Sequence, residues 1–228
     1  MSTAWPGTAG AGAAGGRTAV VAGASGLVGR EILQGLLADD TVTAVLALGR
    51  RPLQLQHPKL TSHAVDFAAL PALPAASEVY LALGTTIKVA GSERAFRAVD
   101  HDANLAVARA AFAAGTRHLG LVSAMGADVK SPLFYNRVKG ETETDVAALG
   151  FDGVVFARPS FLAGDRESLG QPVRGGEKLA MRISQWLKPV LPSNYRSIAA
   201  ADVAHALLAN VPTTVGRQVL LSGAMNRS

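Results

Sequence analysis

Residues 19–30, with the sequence AVVAGASGLVGR, constrain the fold more than any other stretch of the chain. The apolar run before Gly23 is typical of a parallel strand covered on both faces, and apolar residues recur at helical spacing after Gly26. Gly23 allows a tight turn, Gly26 lets the backbone approach a pyrophosphate, and Gly29 permits close packing of helix on strand. The positive end of the helix would then face the phosphates. The predicted phosphate-binding residues are Gly23, Ala24, Ser25, Gly26, Leu27, Val28 and Gly29.

The spacing G-x-x-G-x-x-G is weak evidence by itself in a chain that contains 24 glycines. An ordinary glycine-containing turn between a strand and a helix is the alternative interpretation. The position of the turn inside a strand–turn–helix unit, near the start of a domain, favours dinucleotide binding.

Strand-like apolar runs alternate with helical segments from Arg17 onward. This alternation predicts an α/β fold with a doubly wound, mostly parallel sheet of about seven strands and helices on both faces. We expect strands at 18–23, 42–49, 62–66, 79–84, 117–124, 152–158 and 217–222, and helices near 27–38, 92–114, 133–149, 177–188 and 201–210. Residues 1–16 should form a flexible tail, and residues 17–228 a single domain whose segments at about 159–200 form a small substrate region.

Composition narrows the classes of function. The chain has no cysteine, which excludes disulfides and thiolate metal sites, and we predict no metal site. No apolar run approaches the about 20 residues that cross a bilayer, and residues 1–16 lack the pattern of a secretory signal. We therefore expect a soluble, cytoplasmic protein. The net charge of +5 is scattered along the chain and only 5% of residues are aromatic, which argues against nucleic-acid binding.

Two arginines follow the second predicted strand, where an NAD-selective fold usually places an acidic residue for the ribose 2′-hydroxyl. Arg50 and Arg51 suit a 2′-phosphate better, because a guanidinium can engage phosphate with two hydrogen bonds. Two solvated loop arginines are the alternative. NADP(H) is therefore the preferred cofactor, and NAD(H) remains possible.

Two further strand ends could contact the cofactor. Asp66 and Phe67, after the third strand, could reach the adenine, but a surface aspartate beside a buried phenylalanine explains them equally well. The small and hydroxyl-bearing residues after the fourth strand could line the inner half of the site, or form a simple turn in which a threonine caps the next segment. These residues are Leu83, Gly84, Thr85 and Thr86.

A tyrosine and a lysine four residues apart follow the fifth predicted strand. On a helix, Tyr135 and Lys139 would share a face, where an ammonium favours the phenolate form of the tyrosine. Such a tyrosine can exchange a proton with a carbonyl or alcohol oxygen, and Ser123 at the strand end can hydrogen-bond the same oxygen. We predict that the three groups converge on one reacting atom. A packed tyrosine beside a solvated lysine is the structural alternative. On the preceding helix, Asn104 is expected to be a buried polar anchor, and His101 a partly exposed helix residue.

From Arg17 to Ser222 the chain resembles the short-chain dehydrogenase/reductases, and more narrowly their atypical members. The resemblance implies a Rossmann fold, NAD(P) binding and a Ser-Tyr-Lys triad at Ser123, Tyr135 and Lys139, with the lysine also holding the nicotinamide ribose. It further implies that Asn104 matches the active-site asparagine of the family. The segment Pro159, Ser160 and Phe161 resembles the wall that closes over the nicotinamide, and Met181, Trp186 and Tyr195 could line the substrate pocket with Phe161.

Three functions remain open at this point. The leading hypothesis is an NADP-dependent oxidoreductase that acts on a small carbonyl or alcohol substrate. The second is an NADPH-binding regulatory or redox-sensing protein with little or no turnover. The third is a sugar-nucleotide epimerase or dehydratase, for which the chain after residue 159 leaves less room. A homodimer is possible, since members of the resembling family often pair through their helices.

Overall fold

The computed structural model describes residues 16–163, residue 194 and residues 197–226. Its strands are β1 (Arg17–Ala22), β2 (Val42–Gly49), β3 (Leu60–Ala64), β4 (Glu78–Leu81), β5 (His118–Val122), β6 (Gly153–Arg158), β7 (Leu162–Ala163), β8 (Ile198–Ala199) and β9 (Gly216–Leu221). Its helices are α1 (Leu27–Ala38), α2 (Ile87–Ala90), α3 (Glu93–Arg97), α4 (Asn104–Ala113), α5 (Phe134–Ala147), α6 (Ala200–Asn210) and α7 (Ser222–Met225). A 3₁₀ turn covers Phe67–Ala69, and a π-helical turn covers Ala98–Ala103.

Seven of these strands form one sheet in the order β3-β2-β1-β4-β5-β6-β9, and every neighbouring pair is parallel. The order reverses between β1 and β4, where successive connections leave on opposite faces. In sheets of this kind, ligands bind beyond the carboxyl ends of the strands at the reversal. The two short strands β7 and β8 pair separately. The predicted doubly wound α/β fold of about seven strands is confirmed.

Helices cover both faces of the sheet, so alternate strand residues enter two different cores. In β1, Ala19 and Val21 belong to the core under α1 and α6, whereas Val20 and Ala22 belong to the core under α4 and α5. Burial on both faces explains why this strand is apolar at successive positions. The site described below lies at the carboxyl edge, above the second core.

The predicted long helix near 92–114 is interrupted by the π-helical turn. The side-chain amide of Asn104 donates to the main-chain oxygen of Asp100 at 3.0 Å, and the hydroxyl of Thr142 lies 3.3 Å from the same oxygen. Such inserted side-chain contacts are a recognised cause of local widening of a helix. The fourth strand is also shorter than the predicted 79–84, because the backbone after Leu81 turns to bond with these residues. The predicted tail at 1–16, except residue 16, and the helix at 177–188 lie outside the described residues.

Candidate functional site

The glycine turn has no space for larger side chains at two of its positions. Gly23 adopts φ +90°, and a Cβ there would lie 2.6 Å from the carbonyl of Ala82. A Cβ on Gly29 would lie 2.1 Å from the main-chain oxygen of Gly23, so α1 packs directly on the turn. Helix α1 begins at Leu27 with Gly26 as its N-cap, and no side chain caps its first N–H groups. These groups at a helix start suit the phosphates of a dinucleotide.

A depression lies beside this turn, between α1 and the end of β2. It is lined by Ala24, Ser25, Ala47, Leu48, Gly49, Arg51, Leu53 and Ser62. Arg51 thus borders the same depression as the predicted phosphate-binding residues, while Arg50 is exposed next to it. The structure therefore places Arg51, one of the two predicted arginines, at this depression, and contact of either arginine with a cofactor stays a prediction.

Three other predicted cofactor residues have contacts that a purely structural role explains. Asp66 is exposed and its carboxylate accepts from the amide of Ala68 at 2.9 Å, which caps the 3₁₀ turn. Phe67 packs against the core under α4 and α5. Thr86 caps α2 through a 3.1 Å bond from the amide of Val89. These contacts match the structural alternatives stated for Asp66, Phe67 and Thr86, and contact with a cofactor stays a prediction for all three.

Helix α5 buries an unusual set of side chains. Val138, Thr142 and Val146 face the interior together with Lys139 and Glu143. Charged side chains are almost never fully buried unless they are paired. Tyr135, half-buried in the first turn, packs its ring on Phe96 with centroids 5.4 Å apart. This packing holds the tyrosine ring in place. The buried charges of Lys139 and Glu143 require partners of opposite charge or hydrogen bonds.

The ammonium of Lys139 lies 2.7 Å from a carboxylate oxygen of Asp100, which belongs to the π-helical turn. The other oxygen of that carboxylate accepts from the amide of Thr85 at 2.8 Å. Burial by itself would lower the pKa of Lys139, but the charges of Asp100, Tyr135 and Glu143 outweigh it and leave the pKa raised. Lys139 is therefore a charged ammonium near Tyr135, not the solvated lysine of the structural alternative.

The hydroxyl of Ser123 donates to a carboxylate oxygen of Glu143 at 2.5 Å. Glu143 also accepts hydrogen bonds from Nε and Nη2 of Arg158, at 2.9 and 2.6 Å. These bonds are the main cause of the raised pKa of Arg158. A weaker contact of 3.3 Å comes from Arg217. Because its proton is directed at Glu143, Ser123 presents oxygen lone pairs to any other partner. The predicted convergence of Ser123 with Tyr135 and Lys139 on one atom stays a prediction.

Asn104 is completely buried and joins two elements of the site. Its amide donates to the main-chain oxygens of Leu83 at 3.1 Å and of Asp100 at 3.0 Å. The expectation of a buried polar anchor is confirmed, whereas an active-site role is not tested by this geometry. His101 is buried instead of partly exposed, and its two ring nitrogens lie 2.7 and 2.8 Å from carboxylate oxygens of Asp102 and Asp145.

The segment after β6 contacts the last helix of the chain. The amide of Ser160 donates to the hydroxyl of Ser222 at 2.8 Å, and the main-chain oxygen of Pro159 accepts from Met125 at 3.0 Å. Phe161 is exposed over 68% of its surface. The other predicted pocket residues, Met181, Trp186 and Tyr195, lie outside the described residues.

Sequence reasoning missed three charged residues of this site: Asp100, Glu143 and Arg158. A signal was present for Glu143, since it lies four residues after Lys139 and so on the same helix face. Asp100 also lies four residues before Asn104. Their partners are distant in sequence, and only the fold brings them together.

Comparison with known proteins identifies the family. A family model described as NAD(P)H-binding matches residues 23–213. The chain belongs to this family. Protein HTATIP2 of Rattus norvegicus is 34% identical to this chain over 202 residues, which cover 86% of this chain and 81% of that protein. The protein FMP52, mitochondrial, of Coccidioides immitis (strain RS) is 35% identical over 205 residues, which cover 83% of each chain.

Solved structures show the same fold at low sequence identity. A short chain dehydrogenase family protein from Francisella tularensis subsp. tularensis SCHU S4 aligns with a TM-score of 0.67, 11% identity and coverage of 93% of this chain and 100% of that one. MoeE5 in complex with UDP-glucose and NAD aligns with a TM-score of 0.67, 19% identity and coverage of 89% and 75%. The predicted NAD(P)-binding family is confirmed by the family model, and these alignments show that the chain shares the fold of short-chain dehydrogenase/reductase structures.

The expected cytoplasmic location is wrong. Relatives from Emericella nidulans, Coccidioides immitis and Candida albicans are all named mitochondrial proteins. The expectation rested on the lack of a secretory signal, which does not separate the cytoplasm from the mitochondrion. Among the described residues, no helix is both long and apolar enough for a membrane crossing.

Proposed function

We propose that this protein is an NADP-dependent oxidoreductase that interconverts a small carbonyl compound and the corresponding alcohol. The observation that carries the proposal is the buried ammonium of Lys139 next to Tyr135 on α5. Lysine is almost never fully buried unless it is paired. Ionisable groups with perturbed pKa values concentrate at functional sites. Membership of the NAD(P)H-binding family supports the cofactor class.

The glycine turn and the depression beside it would hold the dinucleotide. Residues 23–29 would bind the pyrophosphate through backbone N–H groups, because no side chain caps the start of α1. Arg51, with Arg50 next to it, would bind the 2′-phosphate of NADP(H). When bound, the nicotinamide supplies or accepts a hydride.

The proton would move at the phenol oxygen of Tyr135. In reduction, Tyr135 donates its proton to the carbonyl oxygen of the substrate, and in oxidation it takes the proton back. Lys139 stabilises negative charge on the phenol oxygen through its ammonium. The hydroxyl of Ser123, which donates to Glu143 in this structure, would turn to donate to the same substrate oxygen when substrate binds.

Replacement of Tyr135 by phenylalanine tests the proposal. The Tyr135→Phe variant keeps the ring that packs on Phe96 and removes only the hydroxyl. We expect it to bind NADPH as the wild type does, but to lose at least about 100-fold in turnover, since general acid–base catalysis contributes roughly 10²–10⁴-fold. The measurement is NADPH oxidation at 340 nm against a panel of aldehydes and ketones, with Phe134→Leu as a control for aromatic packing.

The result of that panel separates the oxidoreductase from the regulatory alternative. Turnover by the wild type that disappears in Tyr135→Phe supports catalysis by this tyrosine, whereas equal turnover in both proteins removes Tyr135 from the mechanism. Tight NADPH binding with no oxidation of NADPH by any carbonyl compound would favour a regulatory or redox-sensing protein. Fold similarity to MoeE5 with bound UDP-glucose and NAD keeps sugar-nucleotide chemistry as a third candidate.

A further inference from the structure

Asp100 is almost completely buried, with 1% of its surface exposed, yet its carboxylate has two partners from different elements. One oxygen lies 2.7 Å from the ammonium of Lys139 on α5. The other accepts from the amide of Thr85, in the loop between β4 and α2, at 2.8 Å. Asp100 therefore connects the predicted cofactor loop with the predicted catalytic lysine.

The backbone of Asp100 is fixed as firmly as its side chain. Its main-chain oxygen accepts from Asn104 at 3.0 Å and from Thr142 at 3.3 Å, within the π-helical turn. In a regular helix this oxygen would bond only along the helix. The turn thus places the carboxylate between α5 and the loop after β4, and π-turns of this kind occur frequently at functional sites.

We propose that Asp100 is a positioning residue for Lys139, which holds the ammonium in its charged state and aims it at Tyr135. The proposal rests on the function proposed above. A buried ammonium without a partner loses its charge readily, because burial disfavours the charged form. Only a charged Lys139 can stabilise the phenolate form of Tyr135, and only the ammonium has a third N–H group to donate besides the two of a neutral amine.

The other charged groups around Lys139 do not replace Asp100. On α5 itself, Tyr135 and Glu143 face the ammonium. Glu143 is already bound to Ser123 and to Arg158 from β6. On the π-helical turn, His101 is held by Asp102 and Asp145. Among the carboxylates of the described residues, only that of Asp100 pairs with the ammonium of Lys139 within 4 Å.

The experiment compares wild type, Asp100→Asn and Asp102→Asn. Asparagine keeps an oxygen for the amide of Thr85 but removes the charge. Asp102 lies on the same turn, is bound to His101, and controls for the loss of any nearby carboxylate. Proteins carrying ¹³C-labelled lysine Cε are titrated from pH 7 to 11.5 by NMR, and the signal of Lys139 is assigned by its absence in Lys139→Met. This readout needs neither cofactor nor substrate.

We expect the titration midpoint of Lys139 to fall by about one pH unit or more in Asp100→Asn and to stay at the wild-type position in Asp102→Asn. The alkaline limb of the pH profile for NADPH oxidation should move in the same direction, which a merely structural role would not cause. An unchanged midpoint of Lys139 in Asp100→Asn would overturn the proposal. A wild-type protein that does not bind NADPH would contradict the proposed function, but the titration midpoint of Lys139 would still test the role of Asp100.

A second variant keeps the test decisive if Asp100→Asn does not fold. An unpaired buried Lys139 would then be the cause, so Asp100→Asn combined with Lys139→Met should restore the folded protein. Recovery of a cooperative urea transition in the double variant supports the pairing. A double variant that is no more stable than Asp100→Asn contradicts it.

Discussion

Glu143 is a charged residue that its type predicts to be exposed, but the structure buries it. Its carboxylate is 1% exposed and is bound by a hydroxyl and by Arg158 through two N–H groups. Taking a charge out of water is costly, and a pair of this kind is tolerated only when its hydrogen bonds are made. The carboxylate therefore fixes Ser123, the end of β6 and α5 relative to one another.

Replacement of Glu143 by glutamine should destabilise the protein strongly. The Glu143→Gln variant leaves the partly buried guanidinium of Arg158 without its charge partner, and loss of hydrogen bonds to a charged group costs roughly 1.5–3 kcal/mol. Glu141→Gln is the matched control on the same helix, because Glu141 pairs with Arg97 at a half-exposed position, where such pairs contribute less than about 1 kcal/mol. Urea unfolding measures both. Equal, small losses in the two variants would contradict the role assigned to Glu143.

At the scale of the elements, the packing of α1 on the glycine turn depends on Gly29. A Cβ on Gly29 would lie 2.1 Å from the main-chain oxygen of Gly23, and neither atom can move without displacing the turn. Gly35 on the same helix differs, because a Cβ there would meet only the end of the Leu208 side chain, at 2.3 Å. An added Cβ would therefore clash with backbone at Gly29 but only with a movable side chain at Gly35.

Alanine substitutions at these two glycines test the packing of helix on turn. Gly29→Ala should push α1 away from the turn, lower stability by roughly 1–3 kcal/mol and weaken NADPH binding, since the N–H groups of the helix start would shift. Gly35→Ala should be close to neutral, because alanine favours a helix by about 1 kcal/mol over glycine and Leu208 can rotate away. Thermal unfolding and NADPH titration measure both effects. Unchanged NADPH binding by Gly29→Ala would count against the turn as the phosphate site.

Most elements could be predicted from the sequence because their signals are local. The strand–glycine–helix order at 19–30 and the apolar runs at β2, β5 and β6 determine the sheet without help from distant residues. The π-helical turn at Ala98–Ala103 could not be predicted, since it depends on Asn104 and Thr142 bonding to one oxygen. The early end of β4 has the same cause, because the oxygen of Leu83 bonds to Asn104.

At the scale of the whole molecule, the sequence could predict half of the candidate site. Tyr135 and Lys139 are separated by four residues on one helix, which their spacing reveals. Lys139 is paired with Asp100 of the π-helical turn, and Ser123 with Glu143 of α5, so both partners come from other elements and appear only when the chain has folded. The sequence also could not show that the hydroxyl proton of Ser123 is directed toward Glu143 in this structure.

The measurement that tests the account most directly is a calorimetric titration of the purified protein with NADPH and with NADH, after removal of any copurified nucleotide. We predict tighter binding of NADPH. The combined replacement of Arg50 and Arg51 by alanine should weaken NADPH by roughly 10- to 100-fold, as expected for the loss of a charge-assisted contact, and leave NADH nearly unchanged. Equal affinities for the two nucleotides would contradict the 2′-phosphate assignment, and binding of neither would contradict the proposed dinucleotide site itself.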